Sequence, residues 1–167
     1  MKTNQKIIAL CRAAMIAALY TALTWLCGLL GLASGSIQLR FAEALCILPF
    51  FMPDAIWGLT IGCFLSNLLV SGGIWADVIF GTLATLIGAL GTYAMRRLKG
   101  KARFLCMLPP ILANTIIIPF VLRYAYMLEQ AWWLMVGGVA VGEILSVGVL
   151  GTFLMLNLEK RSFWNIK

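Results

Sequence analysis

The chain contains no histidine, and charged residues make up only 11% of its 167 positions. Without imidazole there is no histidine proton shuttle, and a structural zinc site loses its usual ligand set. The five cysteines, Cys11, Cys27, Cys46, Cys63 and Cys106, stand singly in apolar runs with no C-x-x-C pair. They are expected to pack as small apolar side chains, and no metal is expected. No G-x-x-x-x-G-K-[ST] phosphate loop occurs, so ATP hydrolysis by this chain alone is excluded. A G-x-S-x-G elbow and an aspartate cluster suited to magnesium and phosphates are also missing, which argues against a hydrolase or phosphotransferase. No enzymatic activity and no cofactor are expected.

What the chain does have is hydrophobicity: 62% of its residues are apolar. Soluble domains carry about 25% charged residues, and a chain this short cannot hide so much apolar surface from water. Its solvent is lipid. The net charge of +7 is clustered at segment ends and is not spread along a basic stripe with aromatics, so no nucleic-acid partner is expected. The apolar stretch from Ile7 to Leu32 is too long for a signal-peptide core and reads as a first membrane helix.

A spanning helix needs about 20 apolar residues. Six segments suggest themselves, at about 7–32, 41–52, 56–70, 77–95, 104–124 and 131–158, within a single transmembrane domain covering 1–167. Gly31–Gly35, Pro53-Asp54, Ser71-Gly72-Gly73 and the basic run from Arg96 to Lys101 separate the first five, and Pro109, Pro110 and Pro119 interrupt the fifth. The second and third are short enough to form a re-entrant hairpin instead, although six crossings are the better count. With the N-terminus inside, eleven of the thirteen lysines and arginines fall on the inner side, leaving only Arg40 and Arg123 outside. That asymmetry predicts an all-α bundle in the cytoplasmic membrane with both termini cytoplasmic.

Charges within membrane segments are costly, so those that remain usually face a cavity or a partner. Gln38, Arg40 and Glu43 lie where the first loop enters the second segment; Asn67 is near the outer end of the third, and Asp77 opens the fourth. Asn114 is midway along the fifth segment, with Arg123 at its outer end. Glu143 falls about 18 Å into the sixth, near the midplane, where an ionised carboxylate needs a cation, a hydrogen-bonding ligand or a proton. Two readings stand for several of these. Asp77 serves as a helix N-cap or as a ligand contact, Arg123 as an outer anchor or a ligand contact, and Glu43 pairs with Arg40 or with a substrate. Trp75, Tyr124, Tyr126, Trp132 and Trp133 form either an interfacial belt or a stacking wall. Together these residues describe capture of a small polar molecule from outside better than a lined channel.

On the first segment Ala14, Ala18 and Ala22 recur every four residues. A smooth face of this kind lets another helix approach closely, within the chain or in a partner subunit. The polar loop at 33–40, flanked by Gly31 and holding Gly35, is the candidate gate.

The runs IQLRFAEALCILPFF at 37–51, GLTIGCFLSNL at 58–68 and DVIFGTLATLIG at 77–88 resemble the QueT family. The surroundings of Asn114 and Pro119 and the Gly142-Glu143 pair are similar too, whereas Cys46 departs from the aliphatic or polar residue expected there. The resemblance implies a substrate-binding S component of an energy-coupling-factor (ECF) transporter. Such a component carries a precursor of the modified nucleoside queuosine, a 7-deazaguanine-type base. It also implies a partner module of one membrane scaffold and two ATP-binding subunits, with Ala14, Ala18 and Ala22 facing the scaffold. The implied substrate site draws on Gln38, Arg40, Glu43, Asn67, Trp75, Asp77, Asn114, Arg123, Trp132 and Glu143. Two alternatives remain: an S component for another small polar vitamin-like compound, and a stand-alone proton-coupled transporter with Glu143 titrating.

Overall fold

The computed structural model describes residues 2–32, 39–70 and 74–160, with side chains from residue 4 onwards. Every regular element among them is helical. Helix α1 runs Lys2–Leu29, α2 Asp54–Val70, α3 Trp75–Ala94, α4 Leu108–Tyr124, α5 Trp132–Glu143 and α6 Gly151–Lys160. Two 3-10 helices, Phe41–Phe50 and Gly100–Met107, precede α2 and α4, and a π-helical segment, Ile144–Leu150, joins α5 to α6.

Among the described residues, four stretches are long and apolar enough to cross a membrane: Asn4–Leu29, Trp75–Ala94, Gly100–Tyr124 and Trp132–Lys160. Phe41–Phe50 and Asp54–Val70 are shorter apolar helices. Leu10, Met15, Trp57, Leu69 and Phe153 are among many large apolar side chains that stay exposed, the outward face expected when lipid is the solvent.

Several boundaries differ from the sequence reading for local reasons. Nothing in Lys2–Lys6 breaks a helix, so α1 begins before the apolar run and ends earlier. It stops ahead of Gly31, whose φ of 68° lies in the left-handed region that glycine adopts freely. The fifth segment becomes α-helical only at Leu108. Pro109 and Pro110 occupy its first turn, where a missing N–H leaves no internal bond unmade. Residues 33–38, including Gln38 and most of the expected gate, lie outside the described residues.

The Phe41–Phe50 helix sits at the centre of the fold, touching α1, α2, α3, α6, the π segment and the second 3-10 helix. Ala42 to Pro49 are all buried. A 3-10 helix rises about 2.0 Å per residue against 1.5 Å for an α-helix, so this short segment reaches about a third farther than the same residues would as α. Irregular backbone at such depth is tolerated because protein, not lipid, surrounds it.

Around this helix the outer elements pack in chain order, α1 on α2, α2 on α3, α3 on α4 and α4 on α5. Close contact between α1 and α2 depends on Gly58 and Gly62. A Cβ added at Gly58 would stand 2.7 Å from the Ala13 carbonyl oxygen, and one at Gly62 would stand 2.8 Å from Tyr20 Cβ. At one end of the bundle Arg12 pairs with Asp54 at 2.8 Å, and Arg103 with Glu159 at 3.0 Å.

Candidate functional site

Side chains three apart eclipse one another on a 3-10 helix. The central helix therefore stacks Glu43 and Cys46 in one row, and the Cys46 thiol donates to Glu43 Oε2 at 3.1 Å. From α1, Tyr20 donates its hydroxyl to Glu43 Oε1 at 2.5 Å. From α4, the Asn114 amide reaches Glu43 Oε2 at 3.5 Å. Three elements thus converge on a carboxylate that is only 1% exposed.

Glu143 completes the cluster from the end of α5. Its side chain is 7% exposed, faces Asn114 and interacts electrostatically with Glu43 and Arg40. Asn114 accordingly stands between the two acids. Glu143 Oε2 is buried without a hydrogen-bond partner among the described residues. The α-to-π transition starts at the next residue, and π-bulges of this kind frequently mark functional positions in helices. Two residues on, the buried Ser146 hydroxyl accepts the Arg40 backbone N–H at 3.3 Å, tying the loop end to the π segment.

Alongside, Arg40 is half-buried and interacts electrostatically with Asp77, Tyr20 and Glu43. Asp77 is buried in the first turn of α3 and accepts the Tyr126 hydroxyl at 2.9 Å. The Asn67 amide donates to the Asp77 carbonyl at 3.2 Å, holding α2 against α3. Below it Thr85 donates to Cys63 Sγ at 3.1 Å. Glu43, Asn67, Asp77, Asn114 and Glu143 are therefore all interior, with Arg40 at their edge.

Three expected site residues lie elsewhere. Trp75 is 66% and Trp132 42% exposed; Trp132 packs edge-on against Phe120 and not over the acids. Arg123 is exposed and donates to the carbonyls of Leu128 and Gln130, so it fastens the loop after α4. A cavity of about 510 Å³ lined by Ala76, Phe80, Ile116, Phe120, Val121 and Tyr124 also stands apart from the acids. It has no charged lining and several of its side chains are exposed, which suits lipid better than a polar solute.

The QueT transporter family matches residues 10–160, nearly the whole chain. The chain belongs to the QueT transporter family. The queuosine precursor transporter QueT of Lactococcus lactis subsp. cremoris (strain MG1363) is 34% identical over 155 residues, which cover 89% of this chain and 90% of that one. No solved structure matches. Family and apolar helices together make this a multi-pass membrane protein with a transport role.

In this QueT family member, sequence reasoning missed Tyr20, Cys46 and Ser146 as members of the polar cluster. Tyr20 had a usable signal: it sits in the middle of an apolar span, too deep for an interfacial belt. Cys46 looked like a bland packing residue because a single cysteine in an apolar run usually is one; its i, i+3 spacing from Glu43, which puts the two on one face of an α- or a 3-10 helix alike, was the usable signal. The alanines separate cleanly. Ala17 is buried and Ala13 half-buried facing α2, whereas Ala14, Ala18 and Ala22 are all exposed.

Proposed function

We propose that this QueT family member is the substrate-capturing S component of an ATP-driven ECF importer. It takes up a queuosine precursor, a 7-deazaguanine derivative, from outside the cell. The observation that carries this reading is the pair of buried acids, Glu43 and Glu143, on either side of Asn114, with one Glu143 oxygen unpartnered. A purine-like base offers adjacent N–H donors on one edge, a carbonyl on the next and two flat faces. Carboxylate oxygens accept from the first, and amide or guanidinium groups donate to the second. The name of the Lactococcus relative supports the substrate class.

The chain crosses the cytoplasmic membrane six times, with both ends inside. The long stretches supply four crossings, and Phe41–Phe50 and α2 the other two. The extended rise of the 3-10 helix and its burial within the bundle support counting it as one. The lysine and arginine asymmetry supports the orientation.

Energy comes from a separate module, since the chain has no phosphate loop. Ala14, Ala18 and Ala22 form the docking face for its membrane scaffold; their exposure supports this, because packing within the chain uses Ala13 and Ala17 instead. The test is uptake of a labelled 7-deazaguanine precursor by cells expressing the chain with and without the ATP-driven module. Uptake that needs both supports the reading. Uptake by the chain alone, driven by a pH gradient, replaces it with a proton-coupled carrier.

A further inference from the structure

The two buried acids are not equivalent. Glu43 is fully engaged: Oε1 takes the Tyr20 hydroxyl, and Oε2 takes the Cys46 thiol and the Asn114 amide. Glu143 faces the same Asn114, yet its Oε2 is buried with no donor among the described residues. A buried carboxylate oxygen without a donor is expensive, whereas an acid that already accepts three donors has little capacity left for a ligand. The Cys46 thiol and the Tyr20 hydroxyl point at Glu43, the Asn114 amide lies against both acids, and none of the three reaches Glu143 Oε2.

We propose that Glu143 is the carboxylate that contacts the substrate, and that Tyr20, Cys46 and Glu43 form a positioning set that orients Asn114 beside it. This assignment rests on the substrate class proposed above. Glu143 Oε2 receives the exocyclic amino group of the base. Glu43 touches no ligand and fixes the amide of Asn114, which spaces the two acids. Glu143 is therefore the specificity-determining residue for the amino group, and Tyr20 acts only through Glu43.

The experiment compares two ligands on the purified chain by calorimetry: 7-deazaguanine and the analogue that lacks the exocyclic amino group. The wild-type chain prefers the first. Glu143→Gln, nearly isosteric, weakens 7-deazaguanine by about 10- to 100-fold, the range for one hydrogen bond to a charged group. It leaves the analogue nearly unchanged, so the preference collapses. Glu43→Gln weakens both ligands by a similar factor and keeps the preference, a pattern that a ligand-contacting acid at Glu43 would not give. Folding of each variant is checked by gel filtration and circular dichroism, and Glu43→Gln alone still decides the matter if the Glu143 variant does not fold. The assignment is overturned if the preference survives Glu143→Gln or disappears in Glu43→Gln. Equal binding of both ligands by the wild type overturns it while leaving the transport reading intact. Binding of neither overturns both.

Discussion

Gly62 on α2 meets α1 so closely that replacing it by alanine should loosen both the fold and the site. The added Cβ would stand 2.8 Å from Tyr20 Cβ, 2.9 Å from the Ala17 carbonyl oxygen and 3.0 Å from Ala17 Cα. None of these atoms can swing aside, so α1 must retreat by about 0.5–1 Å to restore ordinary contact distances. Overpacking of this kind costs about 1–3 kcal/mol, and the better helix propensity of alanine returns about 1 kcal/mol. A net destabilisation of about 0–2 kcal/mol lowers Tm by up to roughly 8 °C in a chain of this size. The same displacement carries Tyr20 away from Glu43 and weakens the Thr21 hydroxyl bond to the Gly62 carbonyl, now 3.2 Å. Gly137→Ala is the control: that position is also helical, but nothing lies within 4 Å of its added Cβ. It should gain up to about 1 kcal/mol and raise Tm by roughly 2–4 °C. Thermal unfolding in detergent, followed by tryptophan fluorescence, reads both. The reasoning is refuted if Gly62→Ala exceeds the wild type as Gly137→Ala does.

Three further outcomes follow from particular contacts. Arg12 and Asp54 pair at 2.8 Å with both side chains partly buried, so Arg12→Ala and Asp54→Ala should each destabilise. A double-mutant cycle should give a coupling of about 0.5–2 kcal/mol, and strict additivity would count against the pair. Cys11 is exposed and the other four cysteines are buried; a membrane-permeant maleimide should label one thiol in the folded protein and five after denaturation, as read by mass spectrometry. Rapid labelling of a second thiol would show the bundle to be looser than described. Ala18→Trp, on the exposed face of α1, should leave ligand affinity within about twofold yet abolish copurification with the ATP-driven module. Intact assembly would remove that face from the interface.

Much of the architecture was legible because lipid imposes simple rules. Segment ends fall at Pro53, the basic run after Ala94 and the loop after Tyr124, as turn residues and charge dictate. The interior position of Glu43, Asn67, Asp77, Asn114 and Glu143 also followed from composition, since a polar group in an apolar span has to turn inward. What could not be read was helix type. Nothing in FAEALCILPF distinguishes a ten-residue 3-10 helix from a short α-helix, because burial on all sides, and not local propensity, selects the form. The aromatics at loop ends posed a different problem: an interfacial residue and a stacking wall share the same sequence position. Only the exposure of Trp75 and Trp132 sets them apart from the acids. Alanines every four residues were ambiguous until the glycines of α2 were seen to face Ala13 and Ala17, leaving Ala14, Ala18 and Ala22 outside.

The central claim is that the buried polar cluster around Glu143 and Asn114 holds a 7-deazaguanine base. Its most direct test is calorimetric titration of the purified, detergent-solubilised chain with the nitrile and aminomethyl 7-deazaguanines, with guanine as the comparison. The account predicts saturable binding of at least one of the two, with guanine weaker by about tenfold or more. A folded sample that binds neither, or that binds guanine equally well, contradicts it.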